Sequence, residues 1–77
     1  MEYWKIEFHE PIGGYHYLNE VFASKESAKR RLRLLIGDVV ESGIKGGESE
    51  GEGWYEFYFS LGMSSFYTYK VLRSYAG

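Results

Sequence analysis

Ser24-Lys25-Glu26-Ser27-Ala28-Lys29-Arg30-Arg31-Leu32-Arg33-Leu34-Leu35-Ile36 is the stretch on which the fold turns. Ser24 reads as a helix N-cap, because its hydroxyl can accept a first-turn N–H, and Glu26 follows where the helix dipole favours acid. Ala28, Leu32, Leu35, Ile36, Val39 and Val40 recur at helical spacing and make one apolar stripe, with Lys25, Lys29, Arg30 and Arg33 mostly off it. Gly37 costs about 1 kcal/mol inside a helix, so the helix is expected to loosen there. Gly43 is a natural stop.

On the N-terminal side of this helix, Trp4, Ile6 and Phe8 alternate with Lys5, Glu7 and His9, the period of a strand with one buried face. Pro11-Ile12-Gly13-Gly14 reads as a turn, and residues 15–22 return as a second strand. Two registers stay open for this hairpin. One pairs Phe8 with Leu18; a slip of one residue moves Leu18 and Phe22 to the other face.

On the C-terminal side, residues 43–53 carry five glycines together with Glu48, Glu50 and Glu52, the composition of a flexible solvated loop. Strands are expected at about 54–60 and 65–73, joined by Ser60-Leu61-Gly62-Met63-Ser64. The order is β-β-α-β-β within one domain, 1–77. The expected fold is α+β: a four-stranded sheet with one helix packed on one face. A β-grasp-like strand order, 2-1-4-3, is favoured, with the first and last strands parallel at the centre. The chain closes on Ala76-Gly77, without the paired glycines of ubiquitin-like conjugating tails, so no conjugation is inferred.

Composition narrows the function classes. A chain of 77 residues without cysteine has neither disulfides nor thiolate metal sites to staple it. Its compensation is aromatic mass: 2 Trp, 8 Tyr and 5 Phe. Eight tyrosine hydroxyls are many for so small a core, so some are expected at the surface. A net charge of −2 is too weak for a DNA mimic and of the wrong sign for a general nucleic-acid binder. No apolar run approaches the ~20 residues of a membrane span. The start, Met1-Glu2-Tyr3-Trp4-Lys5, lacks the pattern of a secretion signal, which points to a cytoplasmic address.

The last two strands decide where a site would lie. Alternation puts Tyr55, Phe57 and Phe59 on one face and Trp54, Glu56 and Tyr58 on the other. Likewise Tyr67, Tyr69 and Val71 oppose Phe66, Thr68 and Lys70. Both faces carry rings, yet one helix covers only one, so the bare face is expected to show aromatics among charges, as interfaces do. The bland alternative is a tyrosine-rich core with cross-strand aromatic pairs. Five of the nine basic residues fall within 25–33, opposite in charge to the Glu48–Glu52 segment, which makes the molecule dipolar. The same cluster also fits a plain solvated helix face.

Other chemistries fare worse. Gly51-Glu52-Gly53 lies among glutamates and precedes a strand, the wrong context for a phosphate loop. His9 and His16 flank the first turn and would approach one another across a hairpin, but two histidines make a thin zinc set. Nothing resembles a nucleophile elbow or triad. No enzyme activity, metal or cofactor is expected. The leading expectation is a small protein-binding module. Its contacts would be Tyr3, Trp54, Tyr58 and Phe66 on the sheet and Arg30 and Arg33 on the helix. The partner would be a second copy or a foreign protein; size and composition also suit a phage- or mobile-element-type inhibitor of a host protein. Single-stranded nucleic-acid binding (RNA or ssDNA) through the same face is the alternative.

Overall fold

The computed structural model describes residues 1–11, 13–62 and 65–76. Ile12 of the first turn, Met63 and Ser64 of the last, and Gly77 lie outside the described residues, as do the side chains of Val40, Leu61 and Ser65. Strands β1 (Glu2–Glu10) and β2 (Gly14–Phe22) lead into helix α1 (Lys25–Leu35) and the short α2 (Gly37–Glu41). Strands β3 (Gly46–Gly51), β4 (Trp54–Gly62) and β5 (Ser65–Tyr75) follow. They form one sheet in the order β2-β1-β5-β4-β3, and every neighbouring pair is antiparallel.

The α+β class and the single main helix stand as expected; the strand count and the central pairing do not. The four foreseen strands do lie in the lateral order 2-1-4-3, but the sheet has a fifth strand, and β1 and β5 run antiparallel. The arrangement is therefore not β-grasp-like. The extra strand is the reason. After α1 the chain enters the far edge of the sheet as β3, and each later hairpin reverses direction, so one added strand turns the last one round.

That added strand lies within the segment expected to be a flexible loop. Its glycines are what admit it to the sheet. A Cβ at Gly47 would fall on the Tyr58 ring, one at Gly51 on the Trp54 indole, and one at Gly46 on the Phe57 ring and the Tyr58 carbonyl. The β4 rings thus lie across a backbone that carries no side chain in their way. Two helix lysines hold the strand from the other side: Lys25 Nζ lies 2.8 Å and Lys29 Nζ 3.5 Å from a Glu50 carboxylate oxygen. Lys25 also donates to the Gly51 carbonyl at 2.7 Å.

The helix follows its local signals. Ser24 Oγ accepts from the Ser27 N–H at 3.1 Å. The α-helix breaks between Leu35 and Gly37, and Gly43, at φ +79°, adopts the left-handed conformation that favours glycine. Ala28, Leu32 and Ile36 of the stripe are buried, whereas Leu35 is exposed. Lys29 is a correction of the opposite kind. Expected off the stripe, it is buried, its ammonium 4.5 Å from the centroid of the Tyr55 ring. Its long stem covers apolar surface while its head reaches Glu50.

Ala28 and Leu32 close over Trp4, Ile6, Tyr55 and Val71 to make the core. The first hairpin adopts neither simple register. Phe8 pairs with His16, Glu7 with Tyr17 and Lys5 with Val21, so residues 18–20 stand opposite the single Ile6. Two extra residues preserve parity, and Leu18 and Phe22 stay on the core side. Further along the same face, rings pack on rings: Phe8 stacks on Tyr69 at 5.5 Å and Phe59 on Tyr67 at 4.9 Å.

The glycine argument separates two positions. Gly46→Ala should lower stability by about 1–3 kcal/mol, since backbone as well as a ring must move. Gly37→Ala, with open space around it, should be neutral or stabilise by up to about 1 kcal/mol. Urea unfolding midpoints of the two variants check this.

Candidate functional site

Among the described residues, nothing covers the face of the sheet opposite α1, the bare face. Strand alternation and the hydrogen-bond registers set its side chains on a grid. The middle row, from β2 to β3, reads Tyr17, Glu7, Lys70, Glu56, Ser49. Toward the first turn the next row reads Tyr15, His9, Thr68, Tyr58, Gly47. On the other side lie Val21, Lys5, Leu72, Trp54 and Gly51. Tyr3 and Phe66 extend the grid at opposite ends, on β1 and β5.

Four of the residues picked from the sequence, Tyr3, Trp54, Tyr58 and Phe66, therefore share this face. Trp54, Tyr58 and Phe66 are 39%, 43% and 59% exposed, and Tyr3 is half-buried. Arg30 and Arg33 are exposed on the helix, on the far side of the sheet. One flat partner surface cannot touch both groups. The sequence reading missed Tyr15 and Tyr17, 66% and 62% exposed on the same bare face. Their alternation was visible, but with the hairpin register open nothing said which face they took.

The face is aromatic at its flanks and charged at its centre. Lys5 and Lys70 balance Glu7 and Glu56, so it has no net charge with histidine neutral. A notch of about 130 Å³ opens among Glu7, His9, Tyr15, Glu56, Thr68 and Lys70, well below the ~300 Å³ at which small-molecule pockets begin. Lys5 lies 5.5 Å from the Tyr17 ring centroid, and the His9 and Tyr15 rings are 4.6 Å apart.

The two histidines do not converge. The register pairs His9 with Tyr15 and Phe8 with His16, which sets the imidazoles on opposite faces. His16 instead stacks on Phe8 at 5.2 Å on the helix side. The expected approach across the hairpin is thereby overturned, because the two positions are offset by one residue in a lattice of period two.

A wider cleft, about 410 Å³, lies on the helix side between Arg33, Ile36 and Glu41 and the Glu48, Tyr55 and Phe57 side chains. Tyr55 donates its hydroxyl to Glu48. Burial, and then that hydrogen bond, push its phenol up to about 12. It stays neutral at ordinary pH and offers no base. Burial likewise raises Tyr69. Glu50 is lowered, first by the hydrogen bond from Lys25.

Of the basic helix cluster, three members are tied to carboxylates. Lys25 and Lys29 hold Glu50, and Arg31 Nε lies 3.2 Å from Glu20. They serve to fasten the helix to both edges of the sheet.

Fold and face together define a small α+β domain with one side of an antiparallel sheet sealed by a helix and the other left bare. No family model matches the sequence, and no curated protein or solved structure matches it either.

The Tyr55 environment has a measurable consequence. The folded phenol keeps its proton to about 12 while an unfolded one loses it near 10.0, so stability is lost as pH rises through that window. Tyr55→Phe should remove the latest-titrating step in the ultraviolet phenolate absorbance and make the fall in stability across the window shallower.

Proposed function

We propose that this domain is a non-enzymatic protein-binding module that meets its partner through the bare face of the sheet. The observation that carries the reading is that face itself: Tyr15, Tyr17, Trp54, Tyr58 and Phe66 stand exposed around a charged row, on a surface that no part of the described chain covers. Tyrosine and tryptophan are the residues on which protein interfaces concentrate their binding energy. The rings are also held ready. Trp54 and Tyr58 lie over glycines of β3, so little side-chain freedom remains to be lost on binding.

The charge pattern favours protein over nucleic acid. Glu7 and Glu56 sit among the rings that would stack bases, and they cancel Lys5 and Lys70. Phosphates would gain little from counterion release on such a face. Arg30 and Arg33 fall outside the contact on this reading. A phage-type inhibitor that masks a host protein would work through a face of this kind, a suggestion that rests on size and composition.

Affinity capture with the wild-type chain and with a Trp54→Ala/Tyr58→Ala double variant tests the proposal. The protein partner should survive nuclease treatment and be lost with the double variant, whose far-UV CD spectrum should be unchanged. The partner's retention by the double variant removes this face from the argument. Partners lost on nuclease treatment, with an affinity for a single-stranded oligonucleotide that falls steeply with salt, would establish nucleic-acid binding instead.

A further inference from the structure

We propose that the occupant of the bare face is a second copy of the chain, stacked sheet on sheet about a two-fold axis that runs parallel to the strands between β1 and β5. The inference rests on the reading of this face as a contact surface and names what covers it.

The grid carries the argument. An axis in the contact plane midway between β1 and β5 lays β1 over the partner's β5 and β2 over the partner's β4. Glu7 then faces the partner's Lys70, and by symmetry Lys70 faces the partner's Glu7. On the flanks, Tyr15 meets the partner's Tyr58 and Val21 meets the partner's Trp54. Lys5 falls over the partner's Leu72, along which its alkyl stem can lie. No like charges oppose one another.

The alternatives are worse. An axis along β5 sets Glu7 against the partner's Glu56 and Lys70 against its own copy. An axis along the middle row sets every charge in that row against itself. An axis midway between β5 and β4 also pairs opposite charges, Lys70 with the partner's Glu56, but it lays β1 over the glycines of β3 and leaves Tyr15 and Tyr17 of β2 beyond the partner's edge. Charge order and ring cover together therefore select the axis between β1 and β5.

Size and charge agree. Four strands of nine residues cover about 600 Å² in projection, close to the ~800 Å² that each partner of a standard interface buries. A face that meets its own copy must carry no net charge or be repelled, and here two lysines cancel two glutamates. Stacked sheets cross at about 30°, which shears the outer pairs but leaves the central Glu7–Lys70 pairs, nearest the axis, in place. Buried ion pairs roughly break even in energy. They set the register, and the rings supply the affinity.

Charge reversal tests this. Sedimentation equilibrium of the wild type should show twice the 9.0 kDa chain mass well below about 200 µM. E7K alone and K70E alone should each weaken the dimer at least about tenfold, with CD spectra intact. An equal mixture of the two should restore it, since each chain then supplies the charge the other needs. Should either variant fail to fold, Tyr15→Glu, at an exposed position facing the partner's Tyr58, should weaken the dimer in the same way.

A wild type that stays monomeric at about 200 µM overturns self-association and leaves the face open to a foreign protein. A dimer weakened by Trp54→Ala/Tyr58→Ala but not restored by mixing E7K with K70E overturns this axis and keeps the face. A dimer indifferent to all of these, yet broken by Leu34→Glu on the helix, places the contact on the other side and removes the inference and the bare-face reading together.

Discussion

A single helix of eleven residues, about 16 Å long, has to seal a sheet five strands wide whose longest strand also runs to eleven residues. The contact that does so is small: Ala28 and Leu32 against Trp4, Ile6, Tyr55 and Val71. The other features of the molecule follow from the mismatch. The helix covers the Trp4 end of the strands, and the remaining length closes on itself by stacking, His16 on Phe8, Phe8 on Tyr69, Tyr69 and Tyr67 on Phe59. Flat rings protect one another where α1 does not reach. The other face of the sheet gets no cover from any described residue.

The edge strand β3 shows how an unpromising segment becomes structure. It brings no apolar side chain. What it brings is an unobstructed backbone for the β4 rings and two glutamates for the tethers. Glu50 takes the ammonium groups of Lys25 and Lys29, while Glu48 accepts the Tyr55 hydroxyl. The exposed part of this network adds little energy by itself. Its effect is geometric, since it fixes β3 to the helix and so fixes the floor on which Trp54 and Tyr58 lie. The glycines that made residues 43–53 look like a loop are thus the same residues that flatten the bare face.

Much of this was legible in the sequence, for local reasons. The cap at Ser24, the break at Gly37 and the turn at Gly43 depend on neighbours only. Alternation in residues 54–59 and 66–71 assigned the faces of β4 and β5 without knowledge of the partners. What stayed hidden depends on distant residues. Whether Gly46 and Gly47 belong to a loop or a strand is decided by rings eleven positions further on, and missing that strand also reversed the inferred direction of β5. The insertion opposite Ile6 could not be read from β2 alone, which left Tyr15 and Tyr17 unassigned. Helical spacing put both Lys29 and Arg30 off the apolar stripe; the Tyr55 ring and Glu50, distant in sequence, distinguish the buried one.

A sheet with two aromatic faces and two open edges is a hazard, and the distribution of charge answers it. Edge β2 carries the two-residue insertion that interrupts regular pairing, and edge β3 carries glutamates that would meet like charges if two such edges met. On the bare face the charged row divides the rings into two flanks, so no uninterrupted apolar patch is offered to chance partners. A partner must place opposite charges at the spacing of adjacent strands, about 4.8 Å, before the flanking rings can close. The chain itself carries that spacing in Glu7 and Lys70. The row that makes indiscriminate stacking unfavourable is therefore the same row that makes one particular stacking favourable, which is how a face this rich in rings can be selective.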